Sequence, residues 1–118
     1  CTLVRPGGEV LYDTFVKPAQ EVTDYLTKYS GITPELLADV DVTVEDVQRR
    51  LRELLAPQTI LVGHSLENDL HALRMVHDRV VDTALLYPHP RGWPHRNGLS
   101  GLCASILKRR LDRSQGHD

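Results

Sequence analysis

Aromatic side chains are scarce: the 118 residues hold one Trp, one Phe and four Tyr. A core built from this chain must therefore be mostly Leu, Val and Ile. Cysteine is nearly as rare. Cys1 and Cys103 lie far apart and form no CxxC pair, which argues against a disulfide framework and a disulfide-linked partner and favours free thiols in a reducing compartment. No apolar run approaches bilayer-spanning length and no signal-type segment opens the chain, so no membrane partner is expected. Neither sign of charge dominates. The formal net charge is −2, so no domain-wide basic field attracts nucleic acid, and polyanion binding must be local. The missing Gly-rich phosphate loop argues against a small-molecule-binding α/β domain. Six histidines are present, but none form an i, i+4 pair and there is no HExxH, so no zinc site is expected.

What is present is the order of an α/β domain. Thr2-Leu3-Val4 and Val10 to Val16 are β-rich runs around the turn-forming Arg5-Pro6-Gly7-Gly8-Glu9, which predicts an antiparallel hairpin. Cys1-Thr2-Leu3-Val4 reads as the middle of a strand, with no initiator Met, so the chain is expected to be a piece of something longer. Asp24 to Tyr29 is a polar connector. Ser30-Gly31-Ile32-Thr33-Pro34-Glu35 reads as a loop entering a short helix, with Thr33 as cap and Pro34 at the first helical position. Thr43-Val44-Glu45-Asp46 is a capping-box variant. Behind it Val44, Val47, Leu51, Leu54 and Leu55 share one helical face, and Pro57 closes the helix.

Thr59-Ile60-Leu61-Val62 is an all-apolar run, as in a buried parallel strand. A helix is expected from about Leu66, carrying Leu66, Leu70, Leu73 and Val76, then a short strand over 79–82. A loop rich in proline, histidine and arginine follows. A last helix carries Leu99, Leu102, Ile106 and Leu107 and ends in Lys108-Arg109-Arg110. The sequence shows neither a repeat nor a linker. The order β-β-(α)-α-β-α-β-loop-α predicts one three-layer α/β domain with a mixed sheet.

The chemistry concentrates in Gly63-His64-Ser65-Leu66-Glu67-Asn68-Asp69, where an apolar strand stops and a helix starts. Asp69 falls in the first helical turn. There a carboxylate suits the helix dipole and is also a natural ligand for a hard cation; spacing alone leaves both readings open. His64 sits at the C-terminal edge of its strand, where ligands collect in α/β sheets, and it is equally suited to hydrogen-bonding the strand-to-helix turn. His117, three residues after Ser114, is a possible general base or a solvated side chain near the chain's end. Lys108, Arg109, Arg110 and Arg113 suit either phosphates or a helix C-terminus. Arg91, Trp93, His95 and Arg96 combine charge with a stacking surface, which single-stranded nucleic acid prefers and which a flexible loop also displays.

Taken in order, Tyr12-Asp13-Thr14-Phe15-Val16-Lys17-Pro18, Asp24-Tyr25, Tyr29-Ser30-Gly31-Ile32-Thr33, Asp46-Val47-Gln48, the Gly63-to-Asp69 block, Val81-Asp82-Thr83 and Gly116-His117-Asp118 resemble the REX-type RNA exonucleases of the DEDDh superfamily. The resemblance covers essentially the whole chain. It implies an RNase H-like fold and 3′→5′ trimming of single-stranded RNA ends. It further implies two Mg²⁺ or Mn²⁺ ions held by an Asp-x-Glu pair, a mid-chain Asp and a late Asp, with a His activating the attacking water. Asp69 corresponds to the mid-chain metal acid and His117 to the general base. Ser30, Gly31, Ile32 and Thr33 correspond to a segment near the substrate's terminal nucleotide, and His64 and Asn68 are further candidate substrate contacts. Asp82 is not among the metal acids and is expected to anchor the turn after its strand.

The sequence also departs from this pattern. No Asp-x-Glu occurs in it; Asp39-Val40-Asp41 precedes a helix, on the wrong element. The late Asp belongs five residues after the His, and Asp118, adjacent to His117, would diverge from it by about 100° on a helix. The expectation is therefore a partial exonuclease domain over 1–118, incomplete at both ends and catalytically incompetent alone. The alternative is a non-catalytic RNA- or protein-binding remnant of the same fold. Nuclear or nucleolar residence is implied by the resemblance alone.

Overall fold

The computed structural model describes residues 1–17, Glu35 and 38–111. The segment Ser30 to Thr33, the entry to the short helix after it, and His117 lie outside the described residues. Two compact units divide the chain, one within Cys1–Arg50 and one spanning Leu51–Leu111.

In the first unit, β1 (Thr2–Val4) pairs antiparallel with β2 (Val10–Asp13). Thr2 faces Asp13 and Leu3 faces Tyr12, with an irregularity after Leu3 that brings Val4 opposite Val10. The turn closes through Gly8 N–H to Arg5 O at 2.8 Å and Arg5 N–H to Glu9 O at 2.8 Å. Gly8 adopts φ +94°, a backbone state that side chains rarely tolerate.

Helix α1 (Val44–Leu54) starts at the expected box. Thr43 N–H donates to Asp46 Oδ2 at 2.9 Å, and Asp46 N–H donates to Thr43 Oγ1 at 3.2 Å. Two otherwise orphaned amide donors are thereby satisfied. The Thr43 amide and the Thr43 hydroxyl, which donates to the same Oδ2 at 3.0 Å, hold the Asp46 carboxyl below its ordinary value, helped by Arg49. Val47 and Leu51 are buried at 0% and 5% exposure, while Arg49, Arg50, Arg52 and Glu53 face water. The apolar stripe read from the sequence is thus the buried face.

The second unit is a strand–helix–strand arrangement. β3 (Leu61–Gly63) and β4 (Val80–Asp82) pair in parallel with Leu61, Val62 and Gly63 opposite Val80, Val81 and Asp82. Helix α2 (Leu66–Ala72) connects them. The two faces of β3 differ. Gly63 lies against the Leu66 side chain so closely that a Cβ would fall 2.4 Å from Leu66 Cδ2. Ile60 and Val62, on the opposite face, are 53% and 68% exposed. The strand is parallel as its composition implies, but only one of its faces is covered among the described residues.

Helix α2 stops earlier than the apolar spacing suggests. Arg74 takes φ +53°, Arg74 N–H bonds His71 O at 3.0 Å, and Met75 N–H bonds Leu70 O at 2.9 Å. This is the paired-bond ending in which a left-handed residue reverses the chain, here with Arg where Gly is usual. Val76 therefore lies beyond the helix and is 90% exposed. Helix α3 (Thr83–Leu86) follows β4 directly, and after the loop over 87–98, α4 (Leu99–Leu102) runs into a π-helical turn over Cys103–Leu107. Among the described residues no helix is long and apolar enough to cross a membrane.

Candidate functional site

The site grows from the junction of β3 with α2. Ser65 occupies the N-cap position of α2, but its φ of 52° and ψ of 48° turn its side chain away from capping duty. The missing acceptor comes from the end of β4. The Asp82 carboxylate accepts from Ser65 N–H at 2.8 Å and Leu66 N–H at 2.9 Å, and it also caps α3 through Ala84 N–H at 2.9 Å. Three amide donors thus converge on one carboxylate that is 7% exposed. Burial pushes this carboxyl up, but the amides of Leu66, Ser65 and Ala84, with the charge of His64, outweigh it and hold the group below its ordinary value. Asp82 is the turn anchor expected from the sequence.

His64 is fixed by the same junction. Its Nδ1 lies 2.8 Å from Thr83 Oγ1, and the Thr83 hydroxyl donates to Gly63 O at 3.2 Å. A hydroxyl has one proton to give, and the carbonyl can only accept. The imidazole and the strand-ending carbonyl are thus tied to one hydroxyl, with the direction of the ring contact set by the tautomer. The local role foreseen for His64 is realised.

Asn68 and Asp69 are exposed residues of α2. Asn68 N–H donates to Ser65 O at 3.1 Å, and Asp69 O accepts from Leu73 N–H at 3.0 Å, so both backbones are held within the helix. The structure thus places His64, Asn68 and Asp69 on one strand–turn–helix unit. Ser30, Gly31, Ile32, Thr33 and His117 belong to the residues it leaves undescribed.

A second tie reaches this helix from the loop over 87–98. Arg96 Nη1 donates to Ser65 Oγ at 3.1 Å and pairs with the Glu67 carboxylate. The Arg96 guanidinium also lies 4.4 Å from the centre of the Trp93 ring. Nothing in the sequence singles out this connection, because Arg96 and Ser65 are 31 residues apart.

A family model described as exonuclease, of the RNase T type, matches residues 5–91. The chain belongs to this exonuclease family. Human RNA exonuclease 1 homolog is 47% identical over 117 residues, covering 98% of this chain and 10% of its own length. Human RNA exonuclease 5 is 50% identical over 120 residues, covering 99% of this chain and 15% of its own length. The chain therefore spans a small part of the curated relatives it matches. Among solved structures, the catalytic unit of Neurospora crassa Pan2, with its protease and nuclease domains, superposes with a TM-score of 0.75. That match has 23% identity and covers 99% of this chain and 20% of the other. The fold is the RNase H-like α/β fold that the sequence led one to expect.

An exonuclease of this kind calls for divalent cations, which need several acids converging from different elements. Among the described residues no three His, Cys, Asp or Glu side chains come together as a metal site. Asp69, expected from the sequence as a metal acid, stands on an exposed helix surface. The described residues do not by themselves form a metal cage.

Proposed function

We propose that this exonuclease-family chain is part of a 3′→5′ exoribonuclease that removes nucleotides from single-stranded RNA ends. The observation that carries this reading is the junction at Gly63-His64-Ser65, where two backbone amides at the start of α2 are bound by the Asp82 carboxylate. Such a helix presents Asp69 from a preorganised first turn, as a ligand-bearing element requires. The names of the relatives supply the substrate class, RNA.

In this reading Asp69 is one acid of a set that holds Mg²⁺ or Mn²⁺, and the rest of the set is not among the described residues. His117 takes the proton of the water that attacks the terminal phosphodiester. The bond from phosphorus to the O3′ of the penultimate nucleotide then breaks. Ser30, Gly31, Ile32 and Thr33 border the terminal nucleotide, and His64 and Asn68 contact the substrate. Selectivity for an unpaired end follows from a narrow site that a duplex terminus cannot enter. The 118-residue polypeptide assayed by itself is inactive, because one acid does not hold a catalytic ion pair. Residence in the nucleus belongs to the same reading.

A second reading, a non-catalytic remnant that binds RNA or a protein, draws on the lack of a metal-type cluster among the described residues. Incubating the full-length protein with 5′-labelled single-stranded RNA and Mn²⁺ separates the two. The enzyme reading expects a ladder that shortens one nucleotide at a time from the 3′ end. Intact RNA, internal cuts or loss from the 5′ end would overturn it.

A further inference from the structure

We infer that Trp93 is a stacking platform for an unpaired base of the RNA strand, upstream of the cleaved end; the inference rests on the exoribonuclease reading. Trp93 is the chain's one tryptophan, and it is 68% exposed. The Arg96 guanidinium lies over the ring, and the surface that stays exposed serves neither core nor helix cap.

The ring is not on a loose loop. Asn97 Nδ2 donates to Tyr87 O at 3.0 Å, and Pro88 and Arg96 face each other in an isolated antiparallel bridge. His95 N–H bonds Gly92 O at 2.9 Å, and Gly92 N–H bonds His89 O at 2.8 Å. Arg96 then joins the loop to Ser65 and Glu67 at the start of α2, while its guanidinium covers the Trp93 ring. Glu67 is two residues before Asp69 on that helix. The platform is therefore mechanically continuous with the element that carries the proposed metal acid.

Charge selects the class of partner. Residues 87–98 hold two Arg, two His and no Asp or Glu, in a chain whose net charge is −2. Arg91 is exposed two residues before the ring. With Arg96 paired to Glu67 and lying over the indole, and Arg91 exposed on the same loop, the site suits a base on the ring and a phosphate at Arg91. An apolar protein interface instead depletes charge at its centre. Stacking of this kind tolerates every base, because every base has a π face, so the platform adds affinity without a sequence preference.

The test uses the full-length protein and short single-stranded oligoadenylates with phosphorothioate 3′ ends, followed by fluorescence anisotropy. Trp93→Ala should weaken Kd roughly tenfold, and Trp93→Phe should recover most of the loss. In oligonucleotides carrying one abasic position each, the wild type should lose affinity at one position near the 3′ end. Trp93→Ala should show no further loss there. With cleavable RNA at saturation, Trp93→Ala should keep its kcat and raise KM. Wild-type affinity in Trp93→Ala would overturn the inference, as would equal losses in Trp93→Ala and Trp93→Phe. Cleavable RNA left intact by the wild type would instead remove the exoribonuclease reading. An inactive Asp69→Asn beside a Trp93→Ala that binds normally would remove the platform alone.

Discussion

The carboxylate of Asp82 at the end of β4 accepts from the first amide of α2, Leu66 N–H, at 2.9 Å. Strand and helix are thereby locked through a residue that is 16 positions away in sequence and that carries none of the proposed chemistry. The position of Asp69 depends on this bond, because α2 has no side-chain cap of its own.

Replacing Asp82 with Ala should loosen the whole junction. Three amide donors lose a charged acceptor, and each is buried or half-buried. A hydrogen bond to a charged group contributes about 1.5–3 kcal/mol, and donors left without an acceptor add to the cost. Hydrogen exchange over 61–86 in the full-length protein should show local opening made easier by roughly 3 kcal/mol. RNA turnover should fall with it. Protection equal to wild type would mean that the clamp is not what sets the helix.

The same carboxylate makes the junction sensitive to acid. Burial raises the Asp82 carboxyl, but the amides of Leu66, Ser65 and Ala84 outweigh it, so its folded value lies below the ordinary 3.8. A carboxyl depressed in the folded state contributes stability that is full above its unfolded value and lost as pH falls through the folded one. Protection over 61–86 should therefore be flat in this contribution from neutrality to about pH 5, and should decline below pH ~4. Asp82→Asn should start lower and decline less. A parallel decline in both proteins would assign the acid sensitivity to other groups.

Gly63 is required by a close approach rather than by an unusual backbone angle. A Cβ there would meet Leu66 Cδ2 at 2.4 Å and Cγ at 2.7 Å. Gly63→Ala should destabilise the junction by roughly 1–3 kcal/mol, the usual cost of overpacking. Adding Leu66→Ala should cost less in that background than in the wild type, because the clash disappears with the side chain. Thermal melting of the four proteins of the cycle reads the coupling. Simple additivity would show that Leu66 moves aside freely.

Much of this was legible in the sequence wherever the cause was local. Thr43 and Asp46 are three residues apart and form the expected reciprocal cap. The face holding Val47 and Leu51 is the buried one because helical spacing leaves little choice. Asp82 was legible as a turn anchor alongside the family resemblance, although its reach to Ser65 and Leu66 was not. The early end of α2 was hidden because Arg74 holds a left-handed conformation that composition assigns to Gly or Asn. The exposure of Val62 was hidden because an apolar run does not reveal how many of its faces are covered. The link from Arg96 to Glu67 and Trp93 joins distant residues without any periodicity, so only the folded chain displays it.

The account stands most directly on Asp69. The decisive measurement is single-turnover trimming of 5′-labelled single-stranded RNA by the full-length protein, comparing wild type with Asp69→Asn, a nearly isosteric change that removes the charge. Turnover should fall by orders of magnitude while hydrogen exchange over 61–86 stays as in the wild type, as expected for a lost metal ligand on an intact helix. Trimming by Asp69→Asn at a rate close to wild type would contradict the account.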